Sequence, residues 1–200
     1  MNAENLTAWC NSLAAALKAD LPGPAAQQRM APVPRRTRPA GPEEPVREGA
    51  VLLLLCHSDE GLWMPLTLRS DRVVHHKSQI SLPGGVREPA DHSLAQTAVR
   101  EAQEEIGIDP DFVHLLGALS PLFVPSGNYD VLPFVACYRT VPAFRLNPTE
   151  VVRILQMPLS ALCDERNRDE EERMIEGREV KVPYYRLEEH KIWGATAMIF

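Results

Sequence analysis

The sequence has no run of apolar residues near the roughly 18 that a membrane-spanning helix needs. Its first residues, MNAENLTAWCNS, lack the basic start and the apolar stretch of a signal peptide. Cysteine is scarce: the four that occur, Cys10, Cys56, Cys137 and Cys163, are far apart and form no C-x-x-C pair. This spacing argues against a zinc site and against a dense disulfide framework. We therefore predict a cytoplasmic protein with reduced thiols and no membrane partner.

Positive charge is not in excess either. Lysine and arginine total 21 residues against 27 aspartates and glutamates, which gives a formal net charge of -6. Proteins that bind nucleic acid usually carry a basic face, so nucleic acid is not expected as the main partner. An anionic small molecule remains compatible with this charge, because a bound cation reverses the local sign of the potential.

The N-terminal part of the chain differs in pattern from the rest. Apolar residues at helical spacing predict an amphipathic helix over residues 4–20, which docks either on its own domain or on a partner, such as the second copy in a homodimer. Seven prolines between positions 22 and 48 then predict an extended connector, because proline fixes φ and lacks a backbone donor. The predicted organisation is an N-terminal helix and connector over residues 1–48 and one domain over residues 49–200.

The region after residue 48 mixes strand and helix patterns. Strand patterns occur in AVLLLLC, LWMPLTLRS, GALSPLFV, DVLPFVACY and VKVPYYRL. Helices are predicted over residues 93–106, in MPLSALC and in WGATAMIF, whereas DERNRDEEER has no apolar face and is predicted to be a solvated segment. Because these elements lack a regular βαβ rhythm, the predicted fold class is α/β (α+β), with a mixed sheet and helices on both of its faces.

The most informative stretch is LPGGVREPADHSLAQTAVREAQEEIGI, residues 82–108. Ser93 and Gln96 fit a capping box that starts a helix, and Gly107 fits the end of that helix. The helix carries three glutamates at positions i, i+3 and i+4, which share one face: Glu101, Glu104 and Glu105. Like charges at this spacing repel, so the arrangement costs stability unless something neutralises it.

Three carboxylates on one helix face are hard oxygen donors, which suit Mg²⁺ or Mn²⁺ rather than zinc. Mg²⁺ usually completes its shell with water and substrate phosphates. The preceding glycines, Gly84 and Gly85, allow backbone to approach a ligand closely, and Arg100 is placed to hold Glu104. The pattern favours a metal site for a phosphate-bearing substrate, with an exposed acidic helix face as the alternative.

This stretch resembles the Nudix box, G-x5-E-x7-R-E-U-x-E-E-x-G-U, in which U is aliphatic. The matching residues are Gly85, Arg100, Glu101, Glu104, Glu105, Gly107 and Ile108. Asp91 stands in place of the first glutamate, and the gap from Asp91 to Arg100 is one residue longer than in the box. A longer gap that begins with aspartate is similar to the coenzyme A diphosphatase branch of the Nudix hydrolases. Asp91 either reaches the site or only leads into the helix.

A second resemblance to that branch lies just upstream, in PLTLRSDRVVHHKSQISLPGG. The matching residues are Leu66, Thr67, Arg69, Ser70, His76, Gln79, Pro83, Gly84 and Gly85. Ser78 replaces a glycine of the pattern, and Leu82 replaces a phenylalanine. The segments SGNYDVLPFVA, LNPTEVVRILQMPLSAL and IWGATA are similar to later parts of the branch. Together these resemblances cover residues 48–200.

The resemblance implies a Nudix fold, with a mixed β-sheet in an α/β/α sandwich. It also implies a metal-dependent hydrolase that cleaves the diphosphate bond of coenzyme A or acyl-CoA into adenosine 3′,5′-bisphosphate and 4′-phosphopantetheine or its acyl derivative. The partner is then a small-molecule nucleotide. One alternative is a Nudix hydrolase of another nucleoside diphosphate derivative, such as a nucleotide sugar, a dinucleoside polyphosphate or an oxidised dNTP. The other is a non-catalytic Nudix-fold sensor, which would be expected to lose a box glutamate.

The resemblance also implies roles for particular residues. The metal ligands are Glu101, Glu104 and Glu105, for Mg²⁺ or Mn²⁺. The catalytic residues are Glu104, Arg100 and Glu150, and the substrate-binding residues are Arg69, His76, Gln79, Gly84 and Gly85. Arg69 either grips a phosphate or pairs structurally, and His76 either donates to a phosphate or orders its loop. Glu150 either activates water or stabilises the N-terminus of a helix.

Overall fold

The computed structural model describes residues 3–35, 45–70, 79–175 and 177–200. The strands are β1 (Arg47–Ser58), β2 (Gly61–Arg69), β3 (Ile80–Ser81), β4 (Gly84–Val86), β5 (Val113–Ala118), β6 (Leu122–Val124), β7 (Tyr129–Tyr138), β8 (Val151–Pro158), β9 (Arg168–Ile175), β10 (Arg178–Leu187) and β11 (His190–Trp193). The helices are α1 (Ala3–Ala16), α2 (Gly23–Gln27), α3 (Leu94–Ile106), α4 (Leu159–Cys163) and α5 (Gly194–Ile199). Within the described ranges, no helix is long and apolar enough to span a bilayer.

Strand β1 lies in the middle of the larger sheet, because its apolar run is buried on both faces. It pairs in parallel with β7 and antiparallel with β2 and β4. The sheet continues from β2 to β3 and β8, and from β7 to β5 and β6. A parallel pair among antiparallel neighbours makes this sheet mixed, so the predicted fold class is confirmed.

Alternate residues of β1 point to opposite faces of the sheet. Leu52 and Leu54 are fully buried on the face that α3 covers, where they pack in one cluster with Ala98, Ala102 and Ile106. The small alanines let α3 lie close to the sheet. This packing fixes the backbone of the helix that carries the three glutamates.

The opposite face of the sheet is covered by the N-terminal segment. Leu53 and Leu55 of β1 share a buried cluster with Cys10 of α1 and with Met30, and α1 packs against β5. Helix α1 therefore docks on its own domain, which is the first of the two predicted arrangements. Helix α5 and the smaller sheet, β9–β10–β11, complete this side of the core. The domain boundary at residue 48 stays a prediction.

The proline-rich connector is not extended throughout. Helix α2 and a 3₁₀ turn at Gln28–Met30 form inside it. Pro22 and Pro24 stand at the start of α2, where a missing backbone N–H costs nothing, because the first helical donors have no intrahelical acceptor. The prediction of a connector without helix is therefore wrong for these two elements.

The charged segment DERNRDEEER is also more regular than predicted, because β9 begins inside it at Arg168 and pairs with β10. Opposite charges meet diagonally across the two strands: Glu170 contacts Lys181, and Asp169 contacts Arg186. Such cross-strand pairs stabilise a solvated strand, so the lack of an apolar face does not exclude one. Strand β8 likewise forms in a segment where no strand is predicted.

Two of the four cysteines are not free thiols. The docking of α1 brings Cys10 to Cys137 of β7 with 6.8 Å between their Cα atoms, and the two residues form a disulfide. The prediction of reduced thiols throughout the chain is therefore wrong. Because Cys10 and Cys137 are 127 residues apart, no local sequence pattern predicts this pairing. Cys56 is buried and Cys163 is exposed, and both are free.

Candidate active site

The glycine pair and α3 form a loop–helix unit beside β1. Strand β4 starts at Gly84 and pairs with β1, at a place where a Cβ on Gly84 would lie 2.4 Å from the carbonyl oxygen of Ala50. At the helix start, Oγ of Ser93 accepts a hydrogen bond from the backbone N–H of Gln96 at 3.2 Å. Gly107 ends the helix in the left-handed region, with φ at 68°. The predicted cap residues are therefore confirmed at both ends.

Helix α3 presents its three glutamates at different depths. The side chain of Glu105 is 1% exposed, that of Glu101 is 16% exposed and that of Glu104 is 53% exposed. Glu101 and Glu105 are one helical turn apart, so they lie together on the inner side of the helix. Glu104 faces solvent.

The buried carboxylate of Glu105 has two hydrogen-bond donors. Nη1 of Arg69 donates to its Oε1 at 3.2 Å, and the backbone N–H of Gly84 donates to its Oε2 at 3.3 Å. Burial raises the pKa of Glu105 to about 8, although the positive charge of Arg69 acts in the opposite direction. Within the described ranges, Nε of Arg69 is itself buried without an acceptor. The guanidinium group thus keeps an unused N–H next to the glutamates, which suits an anionic ligand.

The raised pKa of Glu105 predicts that the metal-free protein loses stability as the pH rises. The folded state keeps this proton up to about pH 8, whereas a glutamate in the unfolded chain loses it near pH 4.3, roughly. Between these values the folded state binds more protons than the unfolded state, so the free energy of unfolding falls with pH. Urea denaturation in the presence of a chelator measures this slope. The Glu105→Gln variant has no proton to lose and should show a smaller slope; equal slopes would refute the assignment.

Gly85 leaves the space in which the carboxylate of Glu101 lies. A Cβ on Gly85 would approach Cδ of Glu101 to 2.5 Å. Nη2 of Arg100 lies 3.0 Å from Oε1 of Glu101. Burial raises the pKa of Glu101, and the charge of Arg100 opposes this effect. Gly85, which is predicted to let the backbone approach the substrate, therefore leaves space for the side chain of Glu101, a predicted metal ligand.

Arg100 connects the loop with the exposed glutamate. Its Nε and Nη2 donate to the two carboxylate oxygens of Asp91, both at 3.0 Å, and its Nη1 donates to Oε2 of Glu104 at 2.9 Å. The guanidinium group holds the pKa of Asp91 well below its usual range. Oγ1 of Thr97, a fully buried residue that the sequence prediction does not include, also donates to Asp91 at 2.9 Å. Asp91 therefore reaches the site, where it fixes the arginine.

We expect Asp91→Asn to lower the free energy of unfolding by about 3 kcal/mol, because it removes the buried carboxylate that accepts two hydrogen bonds from Arg100 and one from Thr97. Urea denaturation measures the loss. Glu48→Gln is the matched control: it breaks the pair between Arg87 and Glu48, whose side chains are 38% and 54% exposed. An exposed pair of this kind contributes less than about 1 kcal/mol. Equal losses in the two variants would show that the Asp91–Arg100 pair behaves like a surface pair.

Glu150 lies near the two inner glutamates. It stands before β8 and not before a helix, so the prediction that it stabilises a helix N-terminus is wrong. Its Oε1 accepts a hydrogen bond from Nδ2 of Asn147 at 3.1 Å. Its negative charge contributes to the raised pKa of both Glu101 and Glu105. The carboxylate of Glu150 therefore acts electrostatically on both inner glutamates.

The upstream segment is described only in part. The backbone carbonyl of Gln79 accepts a hydrogen bond from the backbone N–H of Arg69 at 3.0 Å, which holds the end of β2 in place. The predicted substrate-binding residue His76 and its neighbour Ser78 lie outside the described residues. The position of Arg69 is therefore the main structural information from this segment.

The carboxylates of α3 face arginines and do not converge on one point. In the part of the chain that the structure describes, three or more metal-binding side chains bring their ligand atoms within 4.8 Å of one another only at the exposed turn Glu188–His190. The donor chemistry of Glu101 and Glu105 nevertheless fits Mg²⁺ or Mn²⁺, because both offer hard oxygens and both are now neutralised only by arginine or by a proton. Glu104, which pairs with Arg100, would have to change rotamer to join them.

Comparison with known proteins identifies the family. The NUDIX domain family matches residues 46–190. The chain belongs to this family. A relative named uncharacterized Nudix hydrolase NudL, from Photorhabdus laumondii, is 38% identical over 154 residues, which span 76% of this chain and 81% of the relative. Nudix hydrolase 15, mitochondrial, from Arabidopsis thaliana is 37% identical over 160 residues, which span 76% of this chain and 56% of that protein.

A solved structure shows the same Nudix fold. The Nudix hydrolase RenU from M. smegmatis superposes with a TM-score of 0.50 at 20% identity, and the match covers 60% of this chain and 74% of that one. The Nudix hydrolase relatives indicate that this chain is an enzyme, a Nudix hydrolase. Nudix hydrolases generally need a divalent metal such as Mg²⁺ or Mn²⁺.

Proposed function

We propose that this Nudix hydrolase cleaves the diphosphate bond of coenzyme A or acyl-CoA, yielding adenosine 3′,5′-bisphosphate and 4′-phosphopantetheine or its acyl derivative. The observation that carries the proposal is the position of Arg69. This residue belongs to the upstream segment that resembles coenzyme A diphosphatases, and its Nη1 lies 3.2 Å from Oε1 of Glu105. Its buried Nε has no acceptor among the residues that the structure describes. An arginine with a spare donor at a diphosphate site suits a substrate that carries several phosphates.

The metal ligands in this proposal are Glu101 and Glu105, with Glu104 as the third. A divalent cation bound there would neutralise the diphosphate and stabilise the leaving oxygen. Arg100, held by Asp91, contacts both Glu101 and Glu104 and so keeps these two carboxylates next to each other. Gly84 holds Glu105 through its backbone N–H, and Gly85 leaves room for Glu101.

The protein's own groups account for binding and proton transfer. The guanidinium group of Arg69, whose side chain is 22% exposed, donates to a phosphate oxygen, which orients the diphosphate over α3. The oxygen of a water molecule forms a bond to one phosphorus, and the bond from that phosphorus to the bridging oxygen breaks. The carboxylate of Glu150 accepts the proton of the water, as a general base near the inner glutamates. Positioning and charge stabilisation carry the reaction, with no covalent enzyme intermediate.

Product analysis by chromatography tests the proposal. With Mg²⁺ or Mn²⁺, coenzyme A should disappear and adenosine 3′,5′-bisphosphate and phosphopantetheine should appear in equal amounts. A nucleotide sugar, a dinucleoside polyphosphate and an oxidised dNTP serve as competing substrates, and reaction in ¹⁸O-labelled water identifies the phosphorus that is attacked. Faster cleavage of a competitor would be consistent with the assigned Nudix active site but would overturn the assignment of coenzyme A as the substrate. Binding of nucleotides without any cleavage would instead support the sensor.

A further inference from the structure

Glu150 lies on a turn that two elements of the site hold in place. The backbone N–H of Asn147 donates to the carbonyl of Glu105 at 3.0 Å, at the C-terminal end of α3. The backbone carbonyl of Glu150 accepts a hydrogen bond from the N–H of Ser70 at 2.8 Å, immediately after Arg69 and the end of β2. The turn therefore fixes the backbone of Glu150 relative to the helix that carries Glu105 and the strand that carries Arg69.

Asn147 and Pro148 give this turn its shape. The backbone carbonyl of Asn147 accepts hydrogen bonds from the N–H groups of Glu150 at 3.1 Å and of Val151 at 2.8 Å. Asparagine is favoured at the first position of such a turn and proline at the second, where its fixed φ fits. The side chains of Asn147 and Glu150 are both half-buried, and the turn places them next to each other.

The side-chain amide of Asn147 has a defined orientation. Its Oδ1 accepts two hydrogen bonds from Thr149, one from the backbone N–H at 3.1 Å and one from Oγ1 at 2.6 Å. The amide nitrogen donates hydrogen bonds and does not accept them, so only the oxygen can face the backbone N–H of Thr149. Nδ2 therefore faces Glu150, where it donates to Oε1 of the carboxylate at 3.1 Å.

We propose that Asn147 is a positioning residue for the hydrolysis, which acts through the carboxylate of Glu150. The inference rests on the proposed function, in which Glu150 accepts the proton of the attacking water. The hydrogen bond from Nδ2 of Asn147 occupies Oε1 and restrains the rotamer of the glutamate side chain, so that Oε2 accepts the proton. Without this bond the carboxylate can turn away, and a displacement of about 1 Å at a reacting site costs up to about a hundredfold in rate.

The test is a double-mutant cycle that combines Asn147→Ala with Glu150→Gln in the full chain, with coenzyme A as substrate and saturating Mg²⁺. Asn147→Ala should lower kcat by about tenfold, the effect of one hydrogen bond to a charged group. KM, and the affinity for Mn²⁺ measured by EPR without substrate, should match the wild type, because Arg69 and the inner glutamates stay in place. Glu150→Gln should itself lower kcat by about a hundredfold or more, the usual contribution of a general base. When residue 150 is already glutamine, Asn147→Ala should have no further effect, since no base is left to position.

Two further variants separate positioning from folding. Asn147→Asp keeps an acceptor for Thr149 and is equally favoured at the start of the turn, but it has no N–H for Glu150 and should also lower kcat by about tenfold or more. Asn167→Ala is the matched control, because Nδ2 of Asn167 donates to the backbone carbonyl of Ala161 at 3.0 Å, in the turn before β9. It should keep the wild-type kcat.

The outcomes distinguish this inference from the proposed function. An equal loss caused by Asn147→Ala in both backgrounds would show that Asn147 only shapes its loop, and would overturn the inference. Full activity of Asn147→Asp would overturn it even if Asn147→Ala fails to fold. If the wild type cleaves another nucleoside diphosphate derivative instead of coenzyme A, the same cycle with that substrate supports Asn147 when the two losses are not additive, while the coenzyme A assignment fails. A wild type that cleaves no substrate would overturn both.

Discussion

The Glu105→Gln variant should lose hydrolysis almost completely while it keeps the fold. A buried carboxylate becomes a neutral amide of the same shape, so the metal loses a negatively charged ligand. Metal-ion stabilisation of transition-state charge amounts to several kcal/mol, which corresponds to a fall in kcat/KM of about a thousandfold. The measurement is the initial rate of product formation at saturating Mg²⁺ or Mn²⁺, together with isothermal titration of the metal in the absence of substrate.

Two comparisons separate loss of chemistry from loss of structure. Glu189→Gln removes a glutamate whose side chain is 68% exposed, at the turn after β10, and should hydrolyse substrate at the wild-type rate. The stability of Glu105→Gln in the metal-free state should match or exceed that of the wild type at high pH, since burial disfavours the ionised carboxylate it replaces. A variant that keeps more than about a tenth of the wild-type kcat/KM would show that Glu105 is not a metal ligand.

Gly85→Ala should reduce kcat/KM by about a hundredfold, with little loss of stability. The new methyl group would lie 2.5 Å from Cδ of Glu101, which is the mobile end of a side chain, so Glu101 turns away and the backbone stays. A displacement of about 1 Å at a reacting site is enough for a loss of this size. Initial rates and urea denaturation on the same preparation measure the two effects.

Gly84→Ala is the contrasting variant one residue earlier. Its methyl group would meet backbone, at 2.4 Å from the carbonyl oxygen of Ala50 and 2.6 Å from Cα of Val51. Backbone of the central strand cannot move aside as a side chain does, so overpacking should cost about 1–3 kcal/mol of stability. If Gly85→Ala were fully active, or if it lost as much stability as Gly84→Ala, the role of Gly85 in making room for Glu101 would be wrong.

The sequence predicts the part of the site that lies on helix α3. Ser93 and Gly107 fix where α3 begins and ends, and the spacing of Glu101 and Glu105 fixes that they lie together. These relations span fewer than four turns of helix, so local rules suffice for them. The resemblance to coenzyme A diphosphatases adds Arg69 as a binding residue, but not its contact with Glu105, which joins positions 36 residues apart.

The features that the sequence does not predict depend on tertiary contacts. Thr97 becomes part of the site only because the loop folds back and places Asp91 against it. The pairing of Cys10 with Cys137 requires that α1 first docks on the sheet. Strand β9 has no apolar periodicity, and the charges of β10 that stabilise it follow it in the chain. The two cysteines are 127 residues apart, whereas Asp91 and Thr97 are close in sequence but meet only because of the conformation of the loop between them.

The buried core of this chain includes residues that lie outside the span of the Nudix family match. The family match covers residues 46–190, yet the buried cluster under β1 includes Cys10, Met30 and Met198, which lie outside that span. A chain trimmed to that span would expose part of this cluster, because it would lack α1, the segment around Met30 and α5. In this protein the buried core therefore extends beyond the residues that the family match covers, at both ends of the matched span.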